Sequence, residues 1–358
     1  MGIGRFAFTP MLPLMQAELG LTLPQGGWLA GANYAGYLAG AMASFMLAPR
    51  SGAAARWGLA AVAAATLAMG WTQGFALWLL LRFVAGVASA FVLVGVSGWA
   101  LAQGAKPGWV YAGVGAGIVF AGLLGLLAGA AHLGAAAGWR WLGLAALAVA
   151  AAGWSAFGHG AAGGAPAAAA PAAPPPAPAK LDRAAWTLVV AYGVFGLGYI
   201  VPATFLPAAA RSLVSDPAVF GWAWPLFGAA AFVSTIVAAA LAPRLPPRAM
   251  AARASWLMVA GVLAPVLSTT LPALLLSALL VGGTFMVVTM AGLQEARRLA
   301  GAAPARLMSG MTAAFALGQL AGPFLVRGGR PAAEAIVVPS LVAAALLAAA
   351  ALALQRRG

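Results

Sequence analysis

The chain has 358 residues, of which 64% are hydrophobic and 7% charged; it has no cysteine, and its mean hydropathy is +0.98. A soluble chain of this length would lack the charge needed to hold its surface in water, so composition excludes a soluble domain. The missing cysteine excludes disulfides, thiolate chemistry and Cys-ligated metal. The net charge of +14 would suggest nucleic acid in a soluble protein. Here the basic residues cluster at the ends of apolar runs, as topology signals do, and no nucleic-acid partner is expected.

Apolar runs bounded by polar breaks predict membrane-spanning helices over 2–16, 26–48, 56–74, 76–103, 109–131, 139–158, 184–209, 218–242, 254–271, 273–299, 306–326 and 332–354. No run shows the alternation of a transmembrane β-strand. The opening "MGIGRFAFTPMLPLM" has neither the basic n-region nor the small-residue cleavage site of a signal peptide. Its span of roughly fifteen residues is shorter than the about 20 that cross a bilayer. The expected reading is that an earlier part of this helix is missing, the alternative being a genuine half-helix. Between the sixth and seventh spans, 159–183 is rich in proline and alanine, which favours extended polyproline geometry. The expected domains are therefore a six-helix unit at 1–158, a cytoplasmic linker at 159–183 and a six-helix unit at 184–358.

With the N-terminus in the cytoplasm, the inner loops and C-terminus hold Arg50, Arg56, Lys106, Lys180, Arg183, Arg244, Arg248, Arg253, Arg297, Arg298, Arg306, Arg356 and Arg357. The outer loops hold only Arg140, Arg211, Arg327 and Arg330. That bias predicts a multi-pass protein of a bacterial inner membrane with both termini cytoplasmic.

The chain repeats itself. "GIGRFAFTPMLP" aligns with "GLGYIVPATFLP" at an offset of 194, matching Gly2 with Gly196, Gly4 with Gly198, Leu12 with Leu206 and Pro13 with Pro207. The same offset pairs Trp28 with Trp222 and the "LAPR" at 47–50 with that at 241–244. An even number of spans per copy gives both copies one orientation. This parallel repeat is the arrangement of the major facilitator superfamily, with a substrate cavity between the halves. Small residues recur every fourth position in span 5 (Gly113, Gly117, Ala121, Gly125, Gly129) and in span 11 (Gly310, Ala314, Gly318, Gly322), letting helix backbones approach closely. "GVGAG" lies inside a span with no strand before it, so it does not read as a phosphate loop.

"GIGRFAFTPMLPLM", "GWLAGANYAGYLAGA" and "LRFVAGVASA", with "QEARRLAG" and "GQLAGP" further on, resemble the YbfB/YjiJ-type branch of bacterial major facilitator transporters over nearly the whole chain. The resemblance implies the major facilitator fold and a transporter. It implies for Arg82 a part in proton handling or in holding helices 1 and 4 together. The loop "APRSGAAAR" departs from the superfamily pattern by lacking an acid.

A charge in mid-membrane is costly and faces a wet cavity or a partner. Arg5 and Arg82 are the two such cations, and Thr9 shares a helix face with Arg5. Arg5's repeat mate is Tyr199, suited to the opposite cavity wall. Asn33, Tyr37 and Gln319 complete the candidate substrate-binding set, while Tyr34, Tyr192 and Thr289 are further polar groups within spans. Arginine without a carboxylate favours an anionic or zwitterionic solute over a cationic drug. Glu295 and Glu18 are the candidates for proton coupling, uncoupled transport being the alternative. Trp28, Trp139, Trp141, Trp222 and Trp224 read as interface anchors. The expectation is a monomeric secondary transporter of a small organic solute in the lipid bilayer, with protons as the possible coupling ion and no cofactor or metal. Competing readings are a non-transporting receptor or scaffold on the same fold and an efflux carrier for hydrophobic drugs. An enzyme would need clustered acids, histidines or an activated nucleophile, and the acids here are scattered.

Overall fold

The computed structural model describes residues 2–47, 51–159, 182–300 and 304–356. Most of the Pro/Ala-rich segment lies outside these residues, as do Arg50, Lys180 and Arg357. The described chain is helical: α1 (Gly2–Phe6), α2 (Phe8–Leu19), α3 (Leu23–Leu47), α4 (Ser51–Ala68), α5 (Phe75–Ala102), α6 (Pro107–Ala130), α7 (Ala135–Trp154), α8 (Ala156–His159), α9 (Arg183–Leu213), α10 (Pro217–Phe220), α11 (Ala223–Leu241), α12 (Pro247–Leu267), α13 (Leu271–Ala300), α14 (Pro304–Phe324), α15 (Ala332–Ala335) and α16 (Val337–Gln355). Among the described residues, eight helical stretches are long and apolar enough to cross a bilayer, and Gly52–Ala68 is a shorter apolar helix. The first, second and eleventh expected spans coincide with α1–α2, α3 and α14.

The largest shift in register is at the ninth span, expected from 254 but beginning at Pro247. Apolar content stops at a charge, whereas a helix stops where its backbone cannot continue, and Pro247 sits in the first turn where a missing N–H costs nothing. The arginines that blurred these ends hold neighbouring helix termini. Arg56 donates from Nε to the carbonyl of Trp154 at 2.8 Å. In the second half Arg248 donates to the carbonyls of Leu354 (2.8 Å), Ala353 (3.3 Å) and Arg356 (2.8 Å). Each guanidinium thus meets the negative end of a helix, once in each copy of the repeat. Arg248→Ala is expected to cost about 1 kcal/mol, read as a lower melting temperature in detergent, with flux retained.

Within the first half α3 and α4 pack on α5, and α4 packs on α7; within the second α12 packs on α13 and α16, α14 on α9, and α11 on α13. Across the halves α6 packs on α11, α3 on α14 and α2 on α9. This is the major facilitator fold, two six-helix bundles related by a pseudo-two-fold axis. Glycines permit the closest crossings. A Cβ on Gly2 would lie 2.5 Å from the Cα of Gly117, and one on Gly318 would lie 2.1 Å from the carbonyl oxygen of Gly193. The small-residue stripe of α6 therefore seats α1 and α2, and that of α14 seats α9, as repeat mates should. Gly113 is the exception, with nothing within 4 Å of its added Cβ.

Two of the five tryptophans read as interface anchors lie inside the bundle instead. Trp224 is fully buried and stacks on Phe227 at 4.7 Å, and buried Trp139 donates from Nε1 to the sulfur of Met15 at 3.4 Å. Trp28, Trp141 and Trp222 are more than half exposed. Position near a span end does not tell which side of the helix faces the core.

Candidate functional site

Helix 1 is interrupted at Ala7, between α1 and α2. Pro10 and Pro13 have no N–H to offer the carbonyls of Phe6 and Thr9, which weakens the helix there. Arg82 of α5 braces the interruption, donating from Nη1 to the carbonyl of Gly4 at 3.2 Å and from Nη2 to that of Arg5 at 3.1 Å. It is buried, with its guanidinium carbon 5.0 Å from the ring of Phe8. Asn33 of α3 donates to the carbonyl of Arg82 at 2.9 Å. Arg82 and Asn33 together tie α1, α3 and α5 by their backbones.

Arg5 points the other way. It donates from Nη2 to Gln319 Oε1, and Gln319 donates from Nε2 to the hydroxyl of Tyr199. The guanidinium carbon lies 3.9 Å from the ring centroid of Tyr37, within cation–π distance. Its Nε has no hydrogen-bond partner. Among the described residues the one ion pair joins Arg298 to Glu295 at 2.9 Å, so Arg5 and Arg82 are buried cations without a carboxylate. Arg5 and its repeat mate Tyr199 stand on opposite halves, joined through Gln319.

A cavity of about 100 Å³ lies at the interface of the halves. Arg5, Phe6, Tyr37 and Tyr111 line it from the first half, and Tyr192, Tyr199, Phe285, Met286, Thr289, Thr312 and Phe315 from the second. It lies on the side of Arg5 towards the basic face, where Lys106, Arg183 and Arg298 mark the helix ends. Towards the opposite face the halves are packed shut. Thr9 donates to the carbonyl of Ala203, another repeat mate, at 2.8 Å, and the hydroxyls of Tyr34 and Thr204 share a hydrogen bond of 2.8 Å. Around them Phe8, Met11, Leu12, Phe205 and Leu206 are buried.

Of the seven substrate-binding candidates, Arg5, Tyr37 and Tyr199 line the cavity. Gln319 sits directly behind two of them, Thr9 belongs to the closed side, and Arg82 and Asn33 to the helix ties. The carboxylates named for coupling lie apart from the cavity lining. Glu18 is exposed and accepts from the backbone N–H of Ala135 at 2.6 Å, at the N-terminus of α7. Glu295 is 1% exposed and takes a two-pronged hydrogen bond from the exposed Arg298, both prongs 2.9 Å. Sequence reasoning missed Tyr111, Phe285, Met286, Thr312 and Phe315. The apolar ones carry no signal in so apolar a chain.

The duplicated bundle, with a cavity between its copies closed on one side, has the architecture of the major facilitator class of membrane transporters. A family described as the uncharacterised MFS-type transporter YbfB matches residues 1–355, and the chain belongs to this family. The uncharacterized MFS-type transporter YceJ of Bacillus subtilis (strain 168) is 33% identical over 134 residues, 35% of this chain and 33% of the relative, so the match spans a third of that protein's length. Among solved structures, a bacterial homolog of the human lysosomal transporter Spinster, inward-facing and unoccupied, is 14% identical with a TM-score of 0.68, covering 99% of this chain and 94% of that one. The nucleoside transporter NupG is 12% identical with a TM-score of 0.68, covering 99% and 98%. The human organic anion transporter MFSD10 is 16% identical with a TM-score of 0.64, covering 99% and 96%.

Proposed function

We propose that the chain carries a small anionic or zwitterionic organic solute by alternating access through the cavity beside Arg5. In this reading it sits in a bacterial inner membrane as a monomer with both termini cytoplasmic. The halves 1–158 and 184–358 rock about the 159–183 linker, and the cavity faces the cytoplasm when the Thr9–Ala203 side is shut. One observation carries the choice of cargo: Arg5 lines the cavity with an unpartnered Nε and no carboxylate beside it. A buried guanidinium is stabilised by an opposite charge, and its fork matches a carboxylate. The fold does not choose the cargo, since its neighbours include transporters of nucleosides and of organic anions.

The test is uptake into proteoliposomes loaded for counterflow, comparing small organic anions with neutral and cationic solutes of the same size. Anion-selective exchange supports the reading. A hydrophobic cation carried in preference would return the drug-efflux reading, and no exchange of any solute would return the receptor reading. For proton coupling, burial favours Glu295 over Glu18, because a carboxylate shielded from bulk water can be exposed alternately. Glu295→Gln is accordingly expected to remove the response of uptake to an imposed pH gradient while counterflow continues; a full response in the variant would clear Glu295 of that role.

A further inference from the structure

The two walls of the cavity differ in chemistry, and the difference defines a solute more narrowly than charge does. The first half presents the cation, Arg5, with the rings of Phe6, Tyr37 and Tyr111 also in its wall; the second half presents no cation and a stack of rings. Tyr199 stacks with Phe285 at 5.5 Å and 10° and with Phe315 at 5.7 Å and 8°. The repeat does not impose this asymmetry: the position of Arg5 in one copy is Tyr199 in the other, so one half offers a charge where the other offers a ring.

From this geometry we infer that the cavity is a binding site for an aromatic monocarboxylate, its carboxylate on Arg5 and its ring against Phe285, Tyr199 and Phe315; the inference rests on the anion reading above. Three further observations narrow the class. Size comes first: an apolar cavity of about 150 Å³ takes up benzene, so a space of about 100 Å³ leaves no room for a polycyclic body. Charge count comes second. The lining offers one guanidinium, and its remaining polar groups are the hydroxyls of tyrosine and threonine, which suits one carboxylate and leaves a second one without a cation. Third, no carboxylate lines the cavity, so an α-ammonium group would enter beside Arg5 without an acid to pair with. A monoanion is therefore preferred over an amino acid. The stacked rings add an interaction that an aliphatic chain of equal volume does not receive in full, since aromatic pairs prefer offset and edge geometries with their own electrostatic component.

The experiment is counterflow in proteoliposomes of the full chain with benzoate, pentanoate, benzamide and phenylalanine, each competing against labelled benzoate and each tested as the loaded solute. Benzoate is expected to lead, with pentanoate two- to tenfold weaker, in line with the contribution of an aromatic pair, and benzamide and phenylalanine weaker still. Phe285→Leu, which keeps bulk and removes the ring, is expected to pull the benzoate-to-pentanoate ratio towards one; a ratio is insensitive to how much of the variant folds. Equal use of pentanoate and benzoate overturns the aromatic class and leaves the anion reading in place. Phenylalanine ahead of benzoate overturns the monoanion. Benzamide equal to benzoate overturns the inference together with the anion reading beneath it.

Discussion

Arg5→Ala is expected to reduce anion flux on the order of a hundredfold or more, because removing one partner of a desolvated charge pair costs about 2–5 kcal/mol. The same substitution is expected to leave the melting temperature of the empty protein unchanged or raised. The two outcomes have one cause. Without solute, Arg5 is a buried cation compensated by Gln319 and the rings of Tyr37, Phe6 and Tyr34 but by no carboxylate, and taking away such a charge relieves a desolvation penalty. A residue kept for architecture would show the reverse, a lower melting temperature with flux lost only in proportion to unfolded protein. Arg5→Lys keeps the charge but loses the planar fork, so it should recover part of the flux and little of the affinity. Uptake kinetics and thermal melting of the three proteins, measured side by side, separate the cases.

Gly86→Ala is expected to cost about 3 kcal/mol or more, at the upper end for overpacking, while Gly113→Ala is neutral or slightly stabilising. A Cβ at Gly86 would sit 2.1 Å from the carbonyl oxygen of Asn33 and 2.8 Å from the N of Tyr37. Both neighbours are backbone, so the crossing of α3 and α5 must open. That crossing also carries the Asn33–Arg82 bond and, through Arg82, the brace on helix 1; widening it loosens the wall that holds Arg5. At Gly113 the added methyl meets open space, and alanine favours the helix by about 0.5–1 kcal/mol. Melting curves in detergent read both. A loss at Gly113 equal to that at Gly86 would mean that α6 is closely packed at Gly113, contrary to the geometry.

How much of this was legible depends on what each residue signals. The repeat was readable because glycines and prolines tolerate few substitutes at close crossings and helix breaks, so Gly2, Gly4 and Pro13 reappear as Gly196, Gly198 and Pro207. Arg5, Tyr37 and Tyr199 stood out because a polar group in apolar text must have a partner. That argument names the need but not the partner. Thr9, Asn33 and Arg82 meet the same need through backbone carbonyls, and only coordinates separate them from the cavity residues. Phe285 and Phe315 were invisible for the opposite reason: an apolar side chain at a cavity, in the core or against lipid satisfies the same composition. Trp139 and Trp224 lie within a turn of residues that do face outward, so their burial depends on a rotation about the helix axis that terminal position does not encode.

Closure at one face and hollowness at the other can be tested without knowing the solute. The chain has no cysteine, so an introduced pair reports alone. Pro24 of α3 and Gly328, after α14, belong to different halves; both are exposed on the closed face, and a Cβ on Gly328 would lie 3.0 Å from the ring of Pro24. In the variant with Pro24→Cys and Gly328→Cys, oxidation is expected to form the disulfide and stop counterflow, and reduction to restore it. Undiminished counterflow with the disulfide formed would mean that solute crosses without parting the two halves at this face, and would contradict alternating access.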